Sequence, residues 1–432
     1  MRKIPFSTFA AILVALVAIT GCSLKMHEPP VIDNPVADRT ASGGDAFMAG
    51  FSKRAVTPKF PVFIAGFGPM RLNVAVHDDI YVRTLVVKKG DEKFAMVAVD
   101  VIGIQREDVL AMKAGVEGFR ADQILIASTH THGGPDTLGL WGIPFVLSGR
   151  SDRYMKRIGR AVAETIEEAD KGAVPVKVSA TVFDLEPSIM VNFNEGEPED
   201  EKAGLMAFES MDGKRVATLI NISGHPEAMW SDNHILTADY PGRVCELTEK
   251  EYGGGAVFFS ADLGAMMSPT RPGPDEEHDF KRMERISRNI FAEVKRANGL
   301  LEELPDPGLT HRMSDILFTA ENEFYQKLVR YGILDRKIYE DLMVLTSVHV
   351  IEIGDAQFVT FPGEAYPKIG LSMREKMNPH AFLIGLGDDE LGYILYPKDY
   401  GTELYDYESS MCPGPELSVM MEEELTRLLE MD

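Results

Sequence analysis

The chain alternates short apolar runs with longer amphipathic ones, and that alternation limits what it can become. Tyr81 to Lys88 and Lys93 to Val101 have the residue types of strands, and Glu107 to Phe119 follows as a helix. Gln123 to Ser128 is a short buried strand, and Tyr154 to Ala169 is an amphipathic helix. Val176 to Leu185, Gly204 to Glu209 and Arg215 to Ile222 continue as strands, then a helix starts near Pro241 and runs to about Tyr252. Gly255 to Ser260 is a strand and Asp279 to Asn298 a long helix. Glu323 to about Asp341 reads as helical with a break at Gly332. Leu345 to Ile353 and Ala356 to Phe361 form a hairpin across Gly354-Asp355, a helix follows, Ala381 to Leu386 is a last central strand, and Glu416 to Leu429 a terminal helix. The expected fold class is α/β, with layered mixed β-sheets flanked by helices.

Polar clusters sit where apolar strands end, the usual place for function in such folds. Gln123 to Ser128 runs into Thr129-His130-Thr131-His132-Gly133-Gly134-Pro135. In an extended segment residues i and i+2 point the same way, so His130 and His132 can enter one cavity. Taken alone the pair is equally a pair of packed structural histidines. His225 ends another strand in Asn221-Ile222-Ser223-Gly224-His225-Pro226. Glu364 follows Phe361-Pro362-Gly363, where glycine permits a tight turn. Tyr393 follows Gly392 in a tyrosine-rich tract and is placed to be a ligand or an oxyanion donor, while simple packing accounts for most tyrosines of the tract. Nitrogen and oxygen donors of this kind suit zinc. Asp100 and Asp262 end strands, where each serves either to orient a histidine or to cap structure. His234, His278, His311, His349 and His380 lie in no such motif and read as surface or packing residues, His349 on a polar face.

These strings together resemble the amino-terminal catalytic region of the neutral/alkaline non-lysosomal ceramidase family. The likeness begins at Ala55-Val56-Thr57-Pro58, Ala65-Gly66-Phe67-Gly68 and His77-Asp78-Asp79, with Arg83. Thr129 to Pro135, Asn221 to Pro226, Ala238 to Gly242, Phe361 to Glu364, Gly385 to Tyr393 and Tyr407-Glu408 continue it in order, spanning most of residues 51 to 410. The resemblance implies one Zn2+ held by His130, His225, Glu364 and Tyr393. It places His132 for proton transfer or beside the tetrahedral intermediate, and Tyr407 as a supporting or oxyanion-side hydroxyl, with Tyr405 a nearby rival. Ser268 matches a family serine and is expected to orient water or contact substrate, not to be acylated. The implied activity is hydrolysis of an amide bond in an N-acylated substrate, a sphingosine-like lipid or another acylated amine. A zinc hydrolase of esters and a non-catalytic envelope lipoprotein binding lipid or glycan are the alternatives. The chain departs from the family pattern at Gly264 to Thr270. Val191-Asn192-Phe193-Asn194 lacks the family arginine, and the carboxy-terminal β-sandwich of longer members is missing.

Residues 1 to 21 have a basic start and a short apolar run, and Ile19-Thr20-Gly21-Cys22 resembles a bacterial lipobox. That implies cleavage before Cys22, acylation of Cys22 as a membrane anchor, and, with Ser23 next, an outer-membrane destination. Residues 22 to 50, with Pro29, Pro30, Pro35 and Ser42-Gly43-Gly44, read as a flexible tether, and 51 to 432 as the metal hydrolase domain. The formal net charge of −23 argues against a nucleic-acid partner. Cys245 and Cys412 are open to pairing or to remaining free thiols. The sequence leaves the oligomeric state undefined.

Overall fold

The computed structural model describes residues 26–144, 146–270 and 277–431. The expected signal peptide and the acylation site Cys22 lie outside the described residues. Two open sheets stack face to face, each covered by helices on its outer side. The first has nine strands in the order Gly255–Ser260, Arg215–Ile222, Lys202–Ser210, Val174–Asp184, Met48–Ala55, Tyr81–Lys89, Glu92–Val99, Ile124–Ser128, with Glu302–Leu304 pairing beside Val174–Asp184. Its two end pairs are parallel and the ladders between them antiparallel. The second has five strands in the order Ala37–Ala41, Leu309–Thr319, Met343–Ile353, Ala356–Thr360, Ala381–Ile384, and only its last pair is parallel.

Packing follows from strand alternation. Residues of one parity from the large sheet, such as Phe94, Met206 and Phe208, meet Ile351, Phe358 and Phe382 of the small sheet in a shared core. Residues of the other parity face helices. Ile126 and Val97 pack on the helices Arg106–Lys113 and Asp152–Lys171, while Ile220 and Phe258 pack on Asp239–Tyr252 and Phe280–Asn298. The small sheet's outer face is covered by Glu323–Arg330, Pro367–Arg374 and Glu416–Leu429. Ile124–Ser128 and Gly255–Ser260, at the two ends of the large sheet, are buried on both faces and read as nearly continuous apolar runs, whereas Met48–Ala55 and Val174–Asp184 are partly exposed and carry polar residues. The helix Asp152–Lys171 buries Tyr154, Ile158, Val162, Ile166 and Ala169 along one stripe, and Ser151 caps it by accepting from Tyr154 N.

Several expectations change. The stretch expected as tether up to residue 50 is in part built into the body. Ala37–Ala41 is an edge strand of the small sheet, and Met48–Ala55 lies inside the large one. Ala37–Ala41 is short and polar and adds to an existing edge, so it carries no apolar signature. The strand Leu309–Thr319 lacks a clear apolar pattern because Arg312, buried in it, pairs with Asp38 and Glu352 on neighbouring strands. The helix expected to reach Asp341 stops at Arg330, since Gly332 at φ 65° turns the chain out. His349 is fully buried, not on a polar face, and His311 is buried beside it. Asp100 accepts from Arg83 at 2.6 Å and Tyr81 N at 2.9 Å, and Asp262 accepts from Ser223 at 2.5 Å, so neither orients a histidine of the expected centre.

Cys245 and Cys412 are both free and buried, so they do not pair. Burial pushes each thiol up to about 12. Iodoacetamide at neutral pH is therefore expected to leave both unlabelled in the native protein and to label both after unfolding, read by peptide mass.

Candidate metal centre

Three strand ends converge. Ile124–Ser128 delivers His130 and His132, Arg215–Ile222 delivers His225, and Ala356–Thr360 is followed by Glu364 in the short strand Glu364–Ala365. That short strand pairs with Tyr393–Ile394, and Glu364 and Tyr393 are register partners. The histidines at 130 and 132 share a cavity, but not through an extended segment. His130 has φ 64°, a left-handed conformation that L residues rarely adopt. It is held there by His130 N donating to Val101 O at 3.0 Å and by its ring Nδ1 at 2.6 Å from Ile102 O. His225 is anchored in the same way, with Nδ1 2.8 Å from Met267 O. Each Nδ1 is thereby committed to a carbonyl, and each Nε2 turns inward. Glu364 Oε2 lies 3.0 Å from His225 Nε2 and 3.4 Å from His130 Nε2.

His132 completes the cluster. One nitrogen from each of His130, His132 and His225 can be chosen so that all lie within 4.8 Å of one another. Neither ring nitrogen of His132 has a hydrogen-bond partner among the described residues, although its side chain is only 10% exposed. A buried imidazole left in that state fits a site built to receive something. Gly66, at φ 101°, passes directly over this ring: a Cβ there would stand 2.3 Å from His132 Cγ. Phe67 packs edge-on to the same ring with centroids 4.9 Å apart.

The electrostatics suit a cation. Burial pushes the Glu364 carboxyl up, but His130 and His225 outweigh it and hold it well below the usual carboxylate range. Burial works to lower His225, yet the hydrogen bond and charge of Glu364 raise it to about 9. His132 has no such partner, and burial followed by its two histidine neighbours drives it well below its ordinary value. Burial, then Glu364, raises the Tyr393 hydroxyl far above its ordinary value. Tyr407 is also pushed up by burial and by Glu364, and its ring centroid is 5.9 Å from that of Tyr393. Tyr405 instead points its hydroxyl to Glu197, a structural contact.

Two participants were not anticipated. Glu227 follows His225 by two residues and is buried between Ser268 and His132. Ser268 Oγ donates to Glu227 Oε1 at 2.5 Å, and Glu227 Oε2 is 3.5 Å from His132 Nδ1. Arg71 is buried with its guanidinium over the Phe67 ring and donates to His132 O at 3.1 Å and Asn233 O at 3.2 Å. The strand Met190–Asn192 pairs with Met267–Pro269, so the stretch Val191 to Asn194 that lacks arginine does border the site. Arg71 brings a cation to the His132 backbone from another loop. Proximity of Glu227 to a histidine motif was a usable signal; Arg71 had none.

Fold and site together define a class: a layered α/β protein with a buried histidine and carboxylate cluster able to coordinate one metal ion. No family model matches the chain. Among solved structures it resembles neutral ceramidase from Pseudomonas aeruginosa at 17% identity and a TM-score of 0.75, over 89% of this chain and 74% of that one. A ceramidase complexed with C2 matches equally, at 17% identity and 0.75, over 89% of this chain and 75% of the other. The likeness is one of fold.

Proposed function

We propose that the protein is a zinc-dependent amidohydrolase acting on an N-acylated, lipid-like substrate. The observation that carries this is the convergence of His130, His225 and Glu364 beside a buried His132 whose ring nitrogens make no hydrogen bond among the described residues. His130 and His225 through Nε2, Glu364 through its carboxylate and Tyr393 through its oxygen would hold the ion. Bound zinc supplies a Lewis acid and a water acidic near neutral pH. The chain's own groups do the rest. Glu227 faces His132 Nδ1 and favours the tautomer protonated there, which leaves Nε2 as a base. His132 Nε2 takes the proton of the attacking water and returns it to the departing nitrogen. The hydroxyl of Tyr407 donates to the oxygen that gains charge, where a single donor contributes about 3 kcal/mol. Metal content with release of amine from N-acyl substrates tests the reading; a folded protein that takes up no zinc would refute it.

Ser268 is engaged with Glu227 and is not the nucleophile. Ser268→Ala is expected to lower kcat by roughly tenfold, about the value of one hydrogen bond to a charged group. No acylated serine should appear by mass spectrometry in the native protein; detection of one would reassign the mechanism.

A further inference from the structure

Two neighbouring loops carry a concentration of exposed apolar side chains. Ile143, Val146 and Leu147 stand exposed on one, with Val146 at 78%, and Met70 and Leu72 on the other. The loops are joined by Met70 N donating to Trp141 O at 2.9 Å. The loop with Met70 also carries Phe67 and Arg71, both of which touch His132. The apolar rim is therefore continuous with the wall of the metal centre. Single exposed apolar residues are ordinary, but a contiguous group on joined loops marks a contact surface.

The same flank receives the start of the described chain. Met26–His27 pairs in parallel with Ile338–Tyr339. Next to that strand, Lys337 N donates to Glu107 at 3.1 Å. The adjacent Asp108 pairs at 2.5 Å with Arg150, which closes the apolar loop. At the loop's other end a Cβ on Gly139 would lie 3.0 Å from Ile333 O. Cys22 is four residues before Met26, which fixes the reach between them at no more than about 14 Å. An acyl group on Cys22 would hold this flank close to the lipid surface. A chain of net charge −23 gains no attraction from anionic headgroups, so apolar contact has to supply the docking.

We propose that the rim of Met70, Leu72, Ile143, Val146 and Leu147 rests in the interfacial layer of the bilayer that anchors Cys22, so that the centre takes an amphipathic substrate directly from that leaflet. The docking rests on the lipoprotein reading of the amino terminus, and the uptake of substrate from the leaflet rests on the hydrolase reading. Trp141 is a built-in reporter, since the chain has 2 tryptophans and Trp230→Phe leaves it alone. The full acylated chain is placed on vesicles of phosphatidylethanolamine and phosphatidylglycerol with bromine on the acyl chains. Trp141 emission is expected to be quenched, and the pair Val146→Asp and Leu147→Asp to remove at least about half of that quenching. The milder pair Val146→Ser and Leu147→Ser, with both tryptophans kept, should shift emission the same way. Unquenched Trp141 in protein that floats with the vesicles would overturn the proposal. So would an intact mass showing no acyl group on Cys22. Neither result touches the zinc content or the amidase assay, so the two readings fail separately.

Discussion

Replacing His225 by alanine is expected to empty the metal centre while leaving the fold in place. His225 contributes the Nε2 nearest to Glu364 Oε2, at 3.0 Å, and its Nδ1 is held by the Met267 carbonyl, so the ring has one productive orientation. Loss of an outer partner of a ligand already costs 10–100-fold in metal affinity, so loss of the ligand itself should cost more than about a hundredfold. The full chain purified in detergent without chelator should carry one zinc; His225→Ala should carry almost none and release no amine. His132→Ala separates the two possible donor sets. If His132 moves protons and Glu364 and Tyr393 complete the ligands, that variant keeps zinc and loses turnover. If the three histidines are the ligands, it loses zinc as well. Circular dichroism controls for folding. A His225→Ala protein that retains stoichiometric zinc would place the metal elsewhere.

The parts of this centre that were legible in the sequence are those whose chemistry coincides with a change of local pattern. His130, His132, His225 and Glu364 each stand just beyond an apolar strand, so residue type and position spoke together. Their geometry was less accessible. The left-handed turn at His130 depends on carbonyls of Val101 and Ile102, 28 or more residues away in sequence. Arg71 comes from a loop with no apolar periodicity, and only the tertiary fold brings it to His132. The sheets show the same division. Strands buried on both faces, such as Ile124–Ser128, announced themselves by composition. The strand Leu309–Thr319 did not, because its buried polar residues are satisfied by partners across the sheet. Ala37–Ala41 depended on an edge that another part of the chain creates.

The largest stability effect is expected at Asp388, in the stretch that leads to Tyr393. Its Oδ1 accepts from Ile126 N at 2.9 Å, and its Oδ2 meets Lys113 and, at 2.7 Å, His349 Nε2. His311 Nε2 then lies 3.1 Å from His349 Nδ1. One buried carboxylate thus ties the strand carrying His130 to the small sheet and to the helix Arg106–Lys113. Asp388→Asn is the informative change, because Asp388 has φ 60° and asparagine tolerates that conformation. It keeps the shape and leaves the Lys113 ammonium buried without its counter-ion, which should cost about 3–5 kcal/mol. Adding Lys113→Met should restore part of the loss, since it removes the stranded charge. The pH dependence has a definite sign. Burial alone would raise the Asp388 carboxyl, but Lys113 and His349 hold it well below its ordinary value. A depressed folded pKa contributes stability above the unfolded value near 4, and that contribution is lost as pH falls through the folded one. The gap in urea midpoint between native protein and Asp388→Asn should therefore be widest near neutral pH and narrow progressively below about pH 4. A gap independent of pH would mean that the Asp388 charge does not stabilise the joint and that packing alone holds it.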